Sequence, residues 1–263
     1  MKPAVSVLMG VHNGIPWVTQ AVMSILNQTA GDLELVVVDD GSTDETPAAL
    51  APLIDARLRV VRQPRRGLTR ALNYALTVAT APLIARLDAD DVALPERLAR
   101  QRAMLDAHAD IGMLGTGARE IDAAGNEVGL VIPPVDHAAL RRALIRANPF
   151  VHSSVMMRRR ILETLGGYDE RLCVAQDYDL WMRMAAVTRL GNIPEPLVVR
   201  RLLADRVSVA RDSDRLRAEC RIRWQAVRRG AYPWWCAVFA ARPALALALP
   251  APVRARLRGR RHG

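Results

Sequence analysis

The first hundred residues switch back and forth between two hydrophobic periods. Ala4 to Val11 is an apolar, β-branched run, and Leu33 to Val38 is another, broken only by Glu34. Arg57 to Arg62 and Pro82 to Leu87 read as two more strands. Nearly continuous apolar runs of this length mark strands covered on both faces, as in a parallel sheet. Between them the spacing becomes helical: Trp17, Val18, Ala21, Val22, Ile25 and Leu26 share one face within residues 16–28, and further helices are predicted over 45–54 and 67–79. The order βαβαβαβ predicts an α/β fold with a doubly wound parallel sheet and right-handed crossovers.

Three of these strands end in polar turns: His12-Asn13-Gly14, Asp39-Asp40-Gly41-Ser42, and Asp88-Ala89-Asp90-Asp91. Right-handed crossovers bring the carboxyl ends to one edge of the sheet, where open α/β sheets bind ligands. In the last turn three acids fall within four residues, and Pro95 opens a helix predicted over 95–107, at a position where its missing N–H costs nothing. Acids so crowded repel one another unless a cation holds them. Alone, the stretch fits a solvated acidic turn with a helix cap as well as it fits a cation site.

Past residue 107 the elements shorten. Strands are predicted over 111–116, 119–122 and 127–132, with Gly125 in a hairpin turn. A helix over 136–146, a strand over 151–158, a short helix over 159–165 and a helix over 176–186 that starts near Asp177 follow. Pro194 and Pro196 flank a turn before a strand over 197–203. From about 205 the chain changes character, with an Arg-rich helix over 211–229, then Tyr232-Pro233-Trp234-Trp235 and an Ala/Leu-rich stretch to Pro250. Arg242 and Pro243 interrupt that stretch, so it does not span a bilayer as one helix. Arg254 to Arg261 form a basic end.

Composition sharpens this division. The 263 residues, 51% hydrophobic, suffice for one large domain or a domain with an appendage. The net charge of +10 is uneven, with residues 200–263 summing to +12 and the body to −2. Lys2 is the only lysine, a bias that weakens arginine number as a sign of nucleic-acid binding, and the 4% of aromatics cluster rather than interleave with basic residues. No nucleic-acid partner is expected. Cys173, Cys220 and Cys236 are odd in number and lack metal-ligand spacing, which predicts free, buried thiols in a reducing compartment. The apolar run Val5 to Val11 is too short for a signal peptide or a membrane span, so a cytoplasmic protein is expected.

Five motifs in register resemble glycosyltransferase family 2: Val5-Ser6-Val7-Leu8-Met9-Gly10-Val11-His12-Asn13-Gly14 with Ser24-Ile25-Leu26-Asn27-Gln28-Thr29; Glu34 to Asp44; Asp88-Ala89-Asp90-Asp91 with Pro95, Arg97 and Leu98; His152 to Arg158 with Gly166-Gly167-Tyr168-Asp169; and Gln176 to Arg183. The match runs from about residue 4 to 208. It implies a GT-A catalytic domain over 1–208, with a nucleotide-binding half over 1–110 and an acceptor half over 111–208, followed by a helical basic extension over 209–263.

The resemblance also implies roles. Asp90 would ligate a divalent cation, Mn²⁺ or Mg²⁺, and Asp88 would contact the ribose or reach the metal through water. Asp91 would support the turn or cap the helix. Asp40 would accept from a base N3–H, favouring uracil or thymine, while Asp39 holds the loop. His12, where the family often has Tyr, either stacks on the base or is a hydrogen-bonded turn histidine. Arg66 and Arg70 are candidates for the diphosphate or for plain surface positions. His152 and Ser153 lie on the acceptor side. Members of this type invert the anomeric centre, and Asp177 matches their base, at a helix N-terminus where the dipole favours a carboxylate; the alternative is an N-cap. Gln176 replaces the common Glu, and Asp179 and Arg183 brace the helix. Arg201 matches a family Arg, but Leu203 stands where relatives have a His that touches the metal or diphosphate.

The function so implied is transfer from a UDP- or dTDP-sugar to a glycan or lipid-linked acceptor in bacterial cell-envelope or surface polysaccharide synthesis. Alternatives are a catalytically impaired sugar-nucleotide binder and a sugar nucleotidyltransferase. Trp234, Trp235 and the arginines of the extension suit peripheral association with the inner face of a membrane, or else helices packed on the body with a solvated basic face.

Overall fold

The computed structural model describes residues 2–203 and 211–249. One nine-stranded sheet runs through the molecule. Its strands are β1 (Val5–Val11), β2 (Leu33–Asp40), β3 (Leu58–Gln63), β4 (Leu83–Arg86), β5 (Val92–Ala93), β6 (Ile111–Ile121), β7 (Glu127–Val131), β8 (Met156–Arg158) and β9 (Arg189–Arg201). They lie in the order β3-β2-β1-β4-β8-β6-β9-β5, with β7 paired to β6. The first four are parallel, as the βαβ pattern predicts. β8 runs antiparallel between β4 and β6, and β6 and β9 are parallel.

The helices are α1 (Val18–Leu26), α2 (Thr46–Leu50), α3 (Leu68–Val78), α4 (Arg97–Ala107), α5 (His137–Leu144), α6 (Arg159–Thr164), α7 (Gln176–Met184), α8 (Asp212–Arg228) and α9 (Val238–Leu247). Short 3₁₀ turns occupy His152–Ser154 and Trp234–Ala237. Successive residues of β1 alternate between two cores, one on each face of the sheet. Val7 and Met9 join Ile25, Val37 and Leu98 on one side, while Leu8 joins Val36, Leu72 and Trp181 on the other. Ala218, Ile222 and Ala226 of α8, with Tyr232 and Cys236, belong to that second core. The C-terminal helices therefore bury an inner face against the body.

Several local expectations are corrected. β6 is one strand of 11 residues, because Gly117 lets β9 and β7 close in: a Cβ there would lie 2.6 Å from the Pro194 carbonyl and 2.9 Å from that of Val131. β9 likewise runs through Pro194 and Pro196, since a register shift at Thr116–Ala118 takes up the residues that cannot pair. Residues 151–154 turn instead of extending, because the N–H and hydroxyl of Ser154 both donate to the Val151 carbonyl at 2.9 Å. Pro95 precedes α4 instead of opening it; Glu96 is the cap residue, and the Pro95 carbonyl accepts from Thr29. α9 passes through Pro243 unbroken. Cys173 is exposed and only Cys236 is buried. Among the described residues no helix is long and apolar enough to cross a membrane. The basic end, Arg254 to Arg261, lies outside the described residues.

Candidate active site

The chain leaves β1 toward β2 on one side and returns to β4 on the other. The crevice at such a switch point lies at the carboxyl ends of β1 and β4. Arg86, buried at the end of β4, donates to the Leu87 carbonyl and pairs with Asp88. The Ser153 hydroxyl donates to Asp88 Oδ2 at 2.8 Å, faces the Asp91 carboxylate, and accepts the Asp88 N–H at 3.0 Å. One hydroxyl proton thus serves two carboxyl groups. Asp91 is the one whose protonated form is most favoured: burial and the charges of Asp88 and Asp90 push it up to about 7. Burial also pushes against Asp88, but Arg86, His152 and the Ser153 hydroxyl outweigh it and hold that carboxyl below its ordinary value.

Asp90 differs from both neighbours. Its carbonyl accepts from Arg201 Nε at 3.3 Å, but among the described residues no side chain donates to its carboxylate. Burial and the Asp88 charge push it up to about 6. The three acids therefore separate: Asp88 is ion-paired, Asp91 is locked inward by Ser153 and by the Arg201 N–H at 2.8 Å, and Asp90 keeps its acceptor capacity. No group of three or more His, Cys, Asp or Glu among the described residues is arranged to hold a metal ion alone. A cation here would fit only as one shared between Asp90 and a bound anion.

The β1 and β2 turns are tied to each other. His12 Nδ1 lies 3.0 Å from the Asp40 carbonyl, and Asn13 exchanges hydrogen bonds with Ser42 and Thr43. Gly41, at φ 69°, passes Arg65 so closely that a Cβ would sit 2.7 Å from its backbone nitrogen. Asp39 accepts from the Ser42 N–H at 2.9 Å, a loop-holding contact. Asp40 accepts three N–H groups at 2.7 Å each, from Gln63 and Arg66 on Oδ1 and from Gly67 on Oδ2. A carboxylate has about four acceptor sites, so Oδ2 keeps one. Arg70 is drawn to Glu170 at 3.2 Å across the surface, and Arg66 serves Asp40 through its backbone.

On the other side of the crevice, His152 Nε2 lies 3.0 Å from the Tyr168 hydroxyl, and its ring meets Trp181 of α7 edge-on at 6.0 Å. Burial and the Arg86 charge push His152 down to about 4, so it is neutral at pH 7; Asp88 and Asp177 both bear on it electrostatically. Asp177 is the second residue of α7, and Asn148 Nδ2 donates to its Oδ2 at 2.8 Å. The cap residue is Ala175, held in the left-handed region at φ 57°. Asp179 and Arg183 pair at 2.8 Å as expected, and Arg183 also donates to the Leu165 and Gly167 carbonyls.

Sequence reasoning left two contributors without a site role. Arg201, almost fully buried, lays its guanidinium over the Trp17 ring at 3.7 Å and reaches the Asp90 carbonyl, while its N–H holds Asp91. The motif match marked Arg201, but its contact with a turn 110 residues away needs the β5–β9 pairing to be seen. Likewise Arg97, wholly buried and pushed down to about 9 by burial and by Arg86, donates to the Arg86 and Val155 carbonyls beneath the acid turn.

A sequence profile described as glycosyl transferase family 2 matches residues 6–166. The chain is 31% identical to EpsE of Bacillus subtilis, named as a glycosyltransferase, over 98% of this chain and 94% of that one. It is 34% identical to the O-antigen biosynthesis glycosyltransferase WbnJ of Escherichia coli, over 68% and 71% respectively. S. aureus TarS (its residues 1–349), solved with UDP, matches at a TM-score of 0.67 and 20% identity, covering 85% of this chain and 65% of that one. The mannosyltransferase PcManGT of Pyrobaculum calidifontis, solved with GDP-Man and Mn²⁺, matches at 0.64 and 25% identity, covering 98% and 80%.

Proposed function

The chain belongs to glycosyltransferase family 2 and has the GT-A fold, and from that premise we propose that it transfers one sugar from a nucleoside diphosphate sugar to a hydroxyl of a glycan or lipid-linked acceptor, with inversion at the anomeric carbon. UDP- and dTDP-sugars are the favoured donors, and surface polysaccharide assembly at the inner face of the cell membrane is the setting. The observation that carries this reading is the separation of the three acids, which leaves Asp90, among the described residues, the one of the three whose carboxylate receives no side-chain donor.

Asp90 would hold Mn²⁺ or Mg²⁺ together with the donor diphosphate. When bound, that ion neutralises the charge of the departing diphosphate. The remaining roles belong to the protein. Asp40 Oδ2 accepts a base N3–H, which uracil and thymine offer. His12, tethered by its Nδ1 to the Asp40 carbonyl, presents its ring to the base. Asp88, fixed by Arg86 and Ser153, accepts from the ribose. Asp177 takes the acceptor hydroxyl proton as the new glycosidic bond forms, with Asn148 holding its other oxygen. Neutral His152 and Ser153 shape the acceptor side. Arg70, half-exposed and paired with Glu170, would reach the donor diphosphate by exchanging that surface partner.

The test is a thermal-shift screen of UDP-, dTDP- and GDP-sugars with and without Mn²⁺ or Mg²⁺, because a ligand at 100 times its Kd stabilises the native state by about 2.7 kcal/mol. A UDP- or dTDP-sugar with metal should raise the melting temperature, and Asp90→Ala should abolish the shift. Asp177→Asn should keep the shift and lose transfer. A shift with GDP-sugars alone overturns the role of Asp40, and an undiminished shift in Asp90→Ala overturns the cation site. Binding without turnover in the unmodified chain would mean a sugar-nucleotide binder.

A further inference from the structure

The C-terminal helices carry a surface that sugar transfer does not use. α8 turns Leu216, Ala218, Ile222 and Ala226 inward. Its opposite stripe, Arg217, Arg221, Trp224 and Arg228 at i, i+4, i+7 and i+11, is exposed. α9 packs along α8, and the turn before it opens on Trp234 and Trp235. The exposed run continues through Val238, Arg242, Leu245 and Leu249. Trp224 is 52% exposed, Trp234 83%, Trp235 55%, Val238 62% and Leu245 71%. Three of the five tryptophans of the chain are thus exposed on α8 and the turn that follows it, although an indole gains strongly from leaving water.

The charge on this surface has one sign. From Cys220 to Leu249 the sequence has five arginines and no acid. Arg223 is buried, and Arg221, Arg228, Arg229 and Arg242 form no ion pair among the described residues. The nearest acids, Asp212, Asp214 and Glu219, pair with Arg215, Arg217 and Arg223. The sequence after Leu249 adds five more arginines and no acid.

Indoles, aliphatic side chains and unpaired guanidiniums together match the layered chemistry of a lipid headgroup region. Nucleic acid would answer the arginines but offers no apolar phase for Val238, Leu245 and Leu249. We propose that the outward face of α8, the Trp234–Ala237 turn and α9 docks on an anionic lipid bilayer. Trp234 and Trp235 sit at headgroup depth, and Arg228, Arg229 and Arg242 lie on lipid phosphates. The inner face of the same pair reaches the helix that bears Asp177, through Arg223 and Tyr178. The proposal goes beyond the transfer reaction and does not rest on it, since docking is measured without donor, acceptor or metal.

The experiment is co-sedimentation of the full chain with phosphatidylglycerol/phosphatidylcholine vesicles against pure phosphatidylcholine vesicles, with tryptophan quenching by brominated lipid. Binding should require the anionic lipid and be accompanied by quenching. Trp234→Ser/Trp235→Ser should weaken it at least about tenfold and remove most quenching. Arg228→Gln, Arg229→Gln and Arg242→Gln should each weaken it roughly fivefold. All five residues are exposed, so an unchanged melting temperature will show that each variant folds. Absence of binding to anionic vesicles, or unchanged binding in both sets of variants, overturns the proposal. So does binding without quenching, which marks the face as a polyanion site such as one for RNA.

Discussion

Arg223 joins the C-terminal helices to the catalytic body, and its removal can be worked through contact by contact. The guanidinium is 3% exposed and donates to the Tyr178 hydroxyl at 2.9 Å, to Glu219 at 3.0 Å, to the Arg146 carbonyl at 3.0 Å and to the Phe239 carbonyl at 3.4 Å. Tyr178 is itself anchored, donating to the Leu144 carbonyl at 2.6 Å. Arg223→Ala strips these contacts and leaves a cavity, and breaking a buried ion pair typically costs about 3–5 kcal/mol. Glu219 retains Arg215 and Tyr178 retains Leu144, so the low end applies, about 3 kcal/mol. Because Tyr178 follows Asp177, the proposed base, in α7, loss of the anchor should also lower kcat, on the order of tenfold, as small misplacements of a reacting group do. Donor affinity should be unchanged, since the proposed donor contacts lie on other elements. Urea unfolding gives the first quantity, and steady-state kinetics with donor binding gives the second. A destabilisation below about 1 kcal/mol, or a raised donor Kd with unchanged kcat, would refute the reasoning.

Asp91, pushed up to about 7 from an ordinary 3.8, holds a proton in the folded chain that the unfolded chain has lost. In EDTA the stability it contributes is therefore full below about pH 4 and is lost as pH rises through about 7, up to about 4 kcal/mol. Asp91→Asn copies the protonated form and should flatten that slope in pH-resolved urea unfolding; an unchanged slope would show that Asp91 does not carry it. Ser153→Ala leaves the Asp88 N–H without its acceptor and should cost about 2 kcal/mol in the same assay, with weaker metal-dependent donor binding. Gly117→Ala drives a methyl against backbone on both sides and should destabilise by about 3 kcal/mol, whereas full tolerance would argue against the close passage of β9.

The parallel half of the fold is legible in the sequence because β1, β2 and β4 are buried on both faces, and that condition prints itself as an unbroken apolar run. The chain after residue 110 is harder to read. Gly117, Pro194 and Pro196 look like breaks, yet the register shift between β6 and β9 absorbs them within continuous strands. Val151 to Arg158 looks like a strand, yet Ser154 bonds locally to Val151 and turns the chain, which brings Ser153 onto the acids. Local signals named Asp88, Asp90 and Asp91, but nothing local separates them. Their different situations come from Arg86, Ser153 and Arg201, the last two more than 60 residues away in the chain. The motif singles out Asp177, while Asn148, which donates to it, carries no signal at all.

The two-residue strand β5 has a kinetic consequence. Val92 and Ala93 pair with Val199 and Val198, while β4, just before the acid turn, is held by β1 and β8. The turn between them is therefore stitched at both ends into the same sheet, and its ordering entropy is spent during folding. Donor binding at Asp90, as proposed, then needs no ordering of the acid turn. Association should therefore show no slow phase from ordering of the acid turn, and that turn should add nothing to the heat-capacity change of donor binding.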